Sequence, residues 1–293
     1  MSPRSLSRYL FVFLVLVLGS ALAFAACKDG GGKATPTPPA ESPTPAGIDI
    51  SGVPELQDGV LDVGSELAYA PFNFYQEGTE VEDGLDIDIA RAIANALGVE
   101  VRFIATAFDG LIPALQTGEF DILVAAMTIR PDREDQIDFV PYITVGTGIL
   151  VPAGNPDGIQ ALEDLCGLTV AVQVGTIQVT FLEELNAAGG TCADNSIDIV
   201  TFDTNPLAVE DLRTGGSDAN FSDFPVALTD AQESEGALEV VPTQIDPEPY
   251  GIGVAKESTE LNDVIADALQ AIIDSGEYDT ILAKWELESV ALQ

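Results

Sequence analysis

One order of elements runs twice along this chain, and it restricts the fold more than any other feature. Val60 to Gly64 reads as a strand, Leu85, Ile89, Ile93 and Leu97 fall at helical spacing before Gly98, and Val99 to Ile104 reads as a second strand. Asp109 to Thr117 reads as a helix with Pro113 in its first turn, and Asp121 to Ala126 as a third strand. The order then returns, with strands at Leu168–Gln173, Ile197–Phe202 and Asp218–Phe221 and helices at Gln178–Ala188 and Leu207–Thr214. Even the junctions share letters: Leu115-Gln116-Thr117-Gly118-Glu119-Phe120-Asp121 matches Leu212-Arg213-Thr214-Gly215-Gly216-Ser217-Asp218. Such alternation builds βαβ units on a mainly parallel sheet, so an α/β protein of two similar lobes is expected. Two segments are too few for a solenoid. Tyr250 to Ala255 reads as one more strand, and helices at Leu261–Ser275 and Tyr278–Trp285 return to cover the first lobe.

A length of 293 residues allows a full core in each lobe. The chain has 11 Lys+Arg against 48 Asp+Glu, and the resulting charge of −37 argues against nucleic acid or an anionic membrane surface as an electrostatic partner. The chain has no histidine, which removes Ser-His-Asp and Cys-His nucleophile systems and His-ligated metal sites. Carboxylate or lysine chemistry remains open.

Before the body stands a targeting segment. Arg4 and Arg8 precede the apolar run Tyr9 to Leu18, and small residues lead to Phe24-Ala25-Ala26-Cys27. This resembles a bacterial lipoprotein signal over residues 1–26, which makes Cys27 the lipidated first residue of the mature chain; ordinary secretion is the other reading. Residues 27–53, rich in Gly, Pro and Thr, read as a disordered tether unable to bury a core. Cys166 and Cys192 are the remaining cysteines, 26 residues apart in an exported chain, which favours a disulfide over two buried thiols.

The stretch Val124 to Arg133 leaves a strand and enters a short helix with Pro131 at its first position. Arg133 falls in that first turn, where the helix dipole disfavours a cation. A helix N-terminus and an arginine fork suit a carboxylate; the plainer alternative is a surface arginine paired with Asp132 or Glu134.

Eight motifs occur in order: Val63 to Phe72, Gly84 to Ala90, Phe108 to Leu115, Met127 to Arg133, Asp138 to Tyr142, Val170 to Thr176, Asp218 to Asp223, and Tyr250 to Val254 with Lys284-Trp285 beyond. Together they resemble the amino-acid-binding family of bacterial ABC-transporter solute receptors, the extracellular solute-binding family 3, over essentially all of Leu56 to Trp285. The resemblance implies a two-lobed type II periplasmic-binding-protein fold. Residues 54–145 and 251–293 would form lobe 1, and 146–250 lobe 2. An L-amino acid would sit between closing lobes. By that resemblance Arg133 grips the ligand carboxylate with Thr128 and backbone N–H groups near Ala126 and Met127, and Asp223 accepts from the ammonium. Tyr69 and Phe108 pack on the ligand, Glu66 lies near its side chain, and Gln173, Thr176 and Gln178 contribute from lobe 2.

Residue chemistry supports this separately. Arg133 and Asp223 both follow the third strand of their lobes, at the carboxyl ends where open α/β sheets bind ligands. Between Glu134 and Leu212 there is no Lys or Arg, so lobe 2 attracts ammonium groups. An N-cap role for Asp223 before Pro225, and plain core roles for Tyr69 and Phe108, are the competing readings.

Several residues depart from the family pattern: Glu66 stands where Asp is usual, Ala125 and Ala126 where Ser or Gly often stand, Ile177 for Thr or Gly, and Arg130 for Thr or Ser. Glu66 leans toward a polar or basic ligand, whereas Arg130 could welcome an acidic one. The expectation is a monomeric, lipid-anchored receptor on the outer face of the cell membrane. It passes the ligand to an ABC permease, catalyses nothing and needs no cofactor or metal. The rivals are a dehydratase-type enzyme using Glu66 and Tyr69 for acid–base work, and a sensor module acting on a separate membrane partner.

Overall fold

The computed structural model of the chain describes residues 47–242 and 244–292. The leader, Cys27 and the tether up to residue 46 lie outside the described residues. Ile48 and Ile50 do not behave as tether: they pack against the core beside the fully buried Val53. Gln57 Nε2 fixes this segment by donating to the carbonyls of Ile50 at 3.0 Å and Val53 at 2.9 Å.

The first βαβ run is β1 (Val60–Ser65), a small antiparallel meander of β2 (Ala68–Tyr69), β3 (Asn73–Tyr75) and β4 (Glu82–Asp83), then α1 (Leu85–Leu97) and β5 (Glu100–Ala105). α1 buries Leu85, Ile89, Ile93 and Leu97 as its spacing predicts, and Gly98 ends it in the left-handed conformation at φ 75°. Next come α2 (Leu111–Thr117), β6 (Ile122–Leu123) and the single-turn α3 (Pro131–Glu134). The third strand expected over Asp121–Ala126 is thus only two residues long, because the chain turns away where Ala126 takes φ 49°.

A 16-residue strand, β7 (Ile137–Pro152), carries the chain out of this half. The second run follows as β8 (Thr169–Gln173), α4 (Ile177–Asn186), β9 (Asp198–Phe202), α5 (Asn205–Thr214), β10 (Ala219–Asp223) and α6 (Phe224–Glu233). β11 (Leu238–Val240) and β12 (Ile245–Ala255) lead back, and α7 (Thr259–Asp274) and α8 (Glu277–Lys284) pack on α1.

The sheet order is β5-β1-β6-β12-β7-β10-β8-β9. β5, β1 and β6 are mutually parallel, as are β9, β8 and β10, and the antiparallel strands β7 and β12 lie between the two triplets. The two lobes therefore share one hydrogen-bonded sheet, and the expected lobe borders at 145/146 and 250/251 fall inside these long strands. Each half keeps its own apolar core, one built around Leu61, Phe72 and Ile252 and one around Val170, Leu182 and Phe221. Cys166 and Cys192 are disulfide-bonded in the second core.

The repeated junction has a structural meaning. Asp121 Oδ2 accepts the Asp62 amide at 2.8 Å, and Asp218 Oδ2 accepts the Thr169 amide at 2.8 Å. In both halves a Thr-Gly helix end and an aspartate thus tie the third strand to the first. No described helix is long and apolar enough to cross a membrane.

Candidate functional site

A small cavity of about 10 Å³ lies between the halves. Glu66, Tyr69, Phe108, Ala126, Thr128 and Arg133 line it from the first half, and Gln173, Thr176, Ile177, Gln178 and Asp223 from the second. These residues come from the ends of β1, β2, β8 and β10, the loops after β5 and β6 and the first turns of α3 and α4. Gly175, at φ 77°, lets the β8–α4 turn approach Asp109 closely, where a Cβ would sit 3.1 Å from the Asp109 Cβ.

Arg133 is 3% exposed, which rules out the surface ion pair. Its guanidinium donates to the Thr128 carbonyl at 2.8 Å and to the Gly175 carbonyl at 2.9 Å, and it stands over the Phe108 ring at 5.5 Å. Among the described residues it forms no ion pair. Burial, helped by the neighbouring Arg130 charge, lowers its pKa to about 10. A buried cation without a counter-ion is costly, so an anionic group placed against this guanidinium would be stabilised.

Asp223 occupies the N-cap position of α6, yet its side chain makes no capping bond. Instead Oδ2 accepts from the Tyr69 hydroxyl at 2.7 Å and Oδ1 from Gln178 Nε2 at 2.7 Å. Burial raises its pKa, against the pull of these donors and the Arg133 charge. Tyr69 belongs to the first core and Phe108 to a smaller cluster with Leu111, so both aromatics serve packing and cavity at once. Thr176 is held by a 2.8 Å bond to the Gln173 carbonyl.

Glu66 meets Gln173 across the lobes, with Nε2 donating to Oε1 at 2.6 Å. Burial pushes the Glu66 pKa up to about 7, the Gln173 bond opposes this, and the Asp109 charge adds to it.

Two expectations shift. Met127 does not line this cavity: it is buried in the apolar cluster with Leu111, Ala125 and Ile137, and its carbonyl accepts the Gly251 amide. The Ala126 amide does not point at a ligand carboxylate either, because it donates to the buried Asp86 Oδ2 at 2.7 Å. Arg130 also stands outside the cavity. Its Nε lies 2.8 Å from Asp132 and its Nη1 donates to Thr180 of the other half at 3.1 Å. Asp86 and the Gly175 carbonyl, which hold Ala126 and Arg133, both fall inside the sequence motifs, but nothing in the letters separates them from a helix-start acid and a turn glycine.

With this geometry in place, comparison with known proteins places the chain. The profile of the bacterial extracellular solute-binding proteins, family 3, matches residues 61–288. The arginine-binding protein ArgT of Corynebacterium glutamicum is 32% identical over 241 residues, covering 80% of this chain and 78% of that protein. Among solved structures, an ancestral arginine-binding protein bound to arginine superposes with a TM-score of 0.73 at 38% identity, covering 78% of this chain and 98% of that one. The ancestral amino acid-binding protein AncCDT-1, a precursor of cyclohexadienyl dehydratase, gives a TM-score of 0.70 at 37% identity, covering 78% and 96%.

Proposed function

The chain belongs to the bacterial extracellular solute-binding proteins of family 3, and on that premise we propose that it captures a basic L-amino acid for an ABC importer. The ligand would lie in the cavity between the lobes, its carboxylate on Arg133 and its ammonium on Asp223. Glu66 would then receive the cationic end of the side chain. The observation that carries this reading is the charge of the lining, where Glu66 and Asp223 face Arg133 alone. Two acids against one base leave a single negative charge, which a ligand of net charge +1 neutralises. The likeness to arginine-binding proteins supports the same class. Arg130, held by Asp132 and Thr180, drops out as a selector for acidic side chains.

The same reading places lobe 1 at 54–145 with 251–293 and lobe 2 at 146–250. The mature chain would begin at a lipidated Cys27 on the outer face of the cell membrane, act as a monomer and deliver its ligand to the permease. Mass spectrometry of the mature protein checks the anchor: an unmodified N-terminus elsewhere refutes it.

Calorimetry with L-arginine, L-lysine, L-histidine and L-glutamine tests the ligand class. Tightest binding is expected for arginine or lysine, and a preference for glutamine would overturn the assignment. Arg133→Ala and Asp223→Ala should each cost about 2–5 kcal/mol, roughly 30-fold or more. Retained affinity in either would show that the ligand sits elsewhere. A dehydratase reading draws on the raised pKa of Glu66 beside Tyr69; dehydration of a cyclohexadienyl substrate would support it, and tight binding without turnover removes it.

A further inference from the structure

One buried carboxylate outside the cavity reaches two of the first-lobe loops that line it. Asp86 is fully buried in the first turn of α1, where an acid is favoured by the helix dipole. Its backbone is pinned there: its amide donates to the Phe72 carbonyl at 2.8 Å. The preceding Gly84, at φ 128°, sits where a Cβ would come within 2.0 Å of that same carbonyl. The side chain accepts three hydrogen bonds, from Ala126 N at 2.7 Å, Asn73 Nδ2 at 2.9 Å and the Tyr142 hydroxyl at 2.6 Å. Asn73 passes the connection on, its Oδ1 accepting the Leu67 amide at 3.0 Å.

The two amides served in this way belong to residues in a conformation that side chains disfavour. Ala126 has φ 49° and Leu67 has φ 60°. Such backbone persists only where its surroundings hold it. Leu67 lies between Glu66 and Tyr69, and Ala126 stands two residues before Thr128, so each unfavourable turn aims side chains into the cavity. Nothing in the fold requires one carboxylate to join these loops, which are 59 residues apart in sequence.

We infer that Asp86 is a positioning residue for ligand binding: its carboxylate, directly at Ala126 and through Asn73 at Leu67, sets the two first-lobe loops in their binding geometry before the ligand arrives. It touches no ligand itself. The inference rests on the proposed amino-acid site for its functional consequence, but its structural part can be read without any ligand.

Asp86→Asn tests it. The amide keeps size and polarity but brings N–H donors to a place where three donors already converge. Amide hydrogen exchange by NMR in the ligand-free protein should show Ala126 and Leu67 losing protection at least tenfold while α1, α7 and β7 keep theirs. Affinity for L-arginine should fall at least tenfold. A purely structural role would instead speed exchange across the whole first lobe, and that result, or unchanged affinity, overturns the inference. Should Asp86→Asn fail to fold, Asn73→Ala serves. It leaves the Ala126 bond and cuts the Leu67 branch, so Leu67 alone should lose protection and affinity should still fall; unchanged affinity again overturns the inference. If the parent binds no basic amino acid, the proposed function fails while the exchange pattern still decides the positioning.

Discussion

The Tyr69 hydroxyl, at the end of β2 in the first lobe, donates to Asp223 Oδ2 at the end of β10 in the second over 2.7 Å. The same hydroxyl accepts the Asp223 amide at 3.3 Å, so one phenol joins main chain and side chain of the opposite lobe. The acid assigned to the ligand ammonium is thus already engaged across the cleft.

Removing that phenol weakens closure without emptying the core. Tyr69→Phe keeps the ring that packs 6.3 Å from Phe72 and deletes a hydrogen bond to a charged group, worth about 1.5–3 kcal/mol. Small-angle scattering of the ligand-free variant should give a larger radius of gyration than the parent, and an identical radius would show that this contact does not hold the lobes together.

The pH dependence of binding should run through Glu66. Its folded pKa, about 7, lies above the ordinary 4.5 because burial disfavours the charged form. In the empty protein its contribution to stability is therefore complete below about pH 4.5 and is lost as pH rises through about 7. A cationic ligand pairs with the ionised form, so its affinity should rise between about pH 6 and pH 8. Glu66→Gln should flatten the rise in that window, measured as the ratio of parent to variant association constants. A ratio independent of pH would remove Glu66 from contact with the ligand cation.

Arg130 should govern closure and not choice. Arg130→Ala loses the 3.1 Å bond to Thr180, which is worth about 0.5–1.5 kcal/mol. Affinities for arginine, lysine and glutamine should fall by a common factor of about 2 to 12. A change in their ranking would return Arg130 to the role of side-chain selector.

The Cys166–Cys192 disulfide closes a loop with a sequence separation of 26. By chain entropy it contributes about 3.5 kcal/mol, so the double Ser variant should melt about 7–14 °C lower. Thiol titration of denatured, unreduced protein should find neither cysteine free; two free thiols would refute the bridge.

The alternation of elements was legible because helical spacing in α1 and α2 and their glycine ends are local signals. The letters shared at Gly118 and Gly215 mark a real equivalence, since Asp121 and Asp218 make the same backbone bond in each lobe. Placing Arg133 and Asp223 at matching positions of the two lobes followed from that. What the letters hid was β7. Pro141, Gly146 and Gly148 break its strand pattern, and from Val145 to Val151 it is buried without alternation, as a strand covered on both faces must be. Asp86 was hidden for another reason, because an acid in the first turn of a helix is explained by the dipole alone until its partners are seen.

β7 and β12 run side by side through both lobes, with register shifts near Tyr250 and Gly251. A lobe hung on a single strand could swivel as well as swing. Hung on two that are hydrogen-bonded to each other, it keeps mainly the bend of that ribbon, as a door on two pins keeps only its opening angle. Occupancy of the cavity should then translate into one angular coordinate. A pair of fluorophores, one on α7 and one on α5, would report amino-acid concentration as a single monotonic distance change.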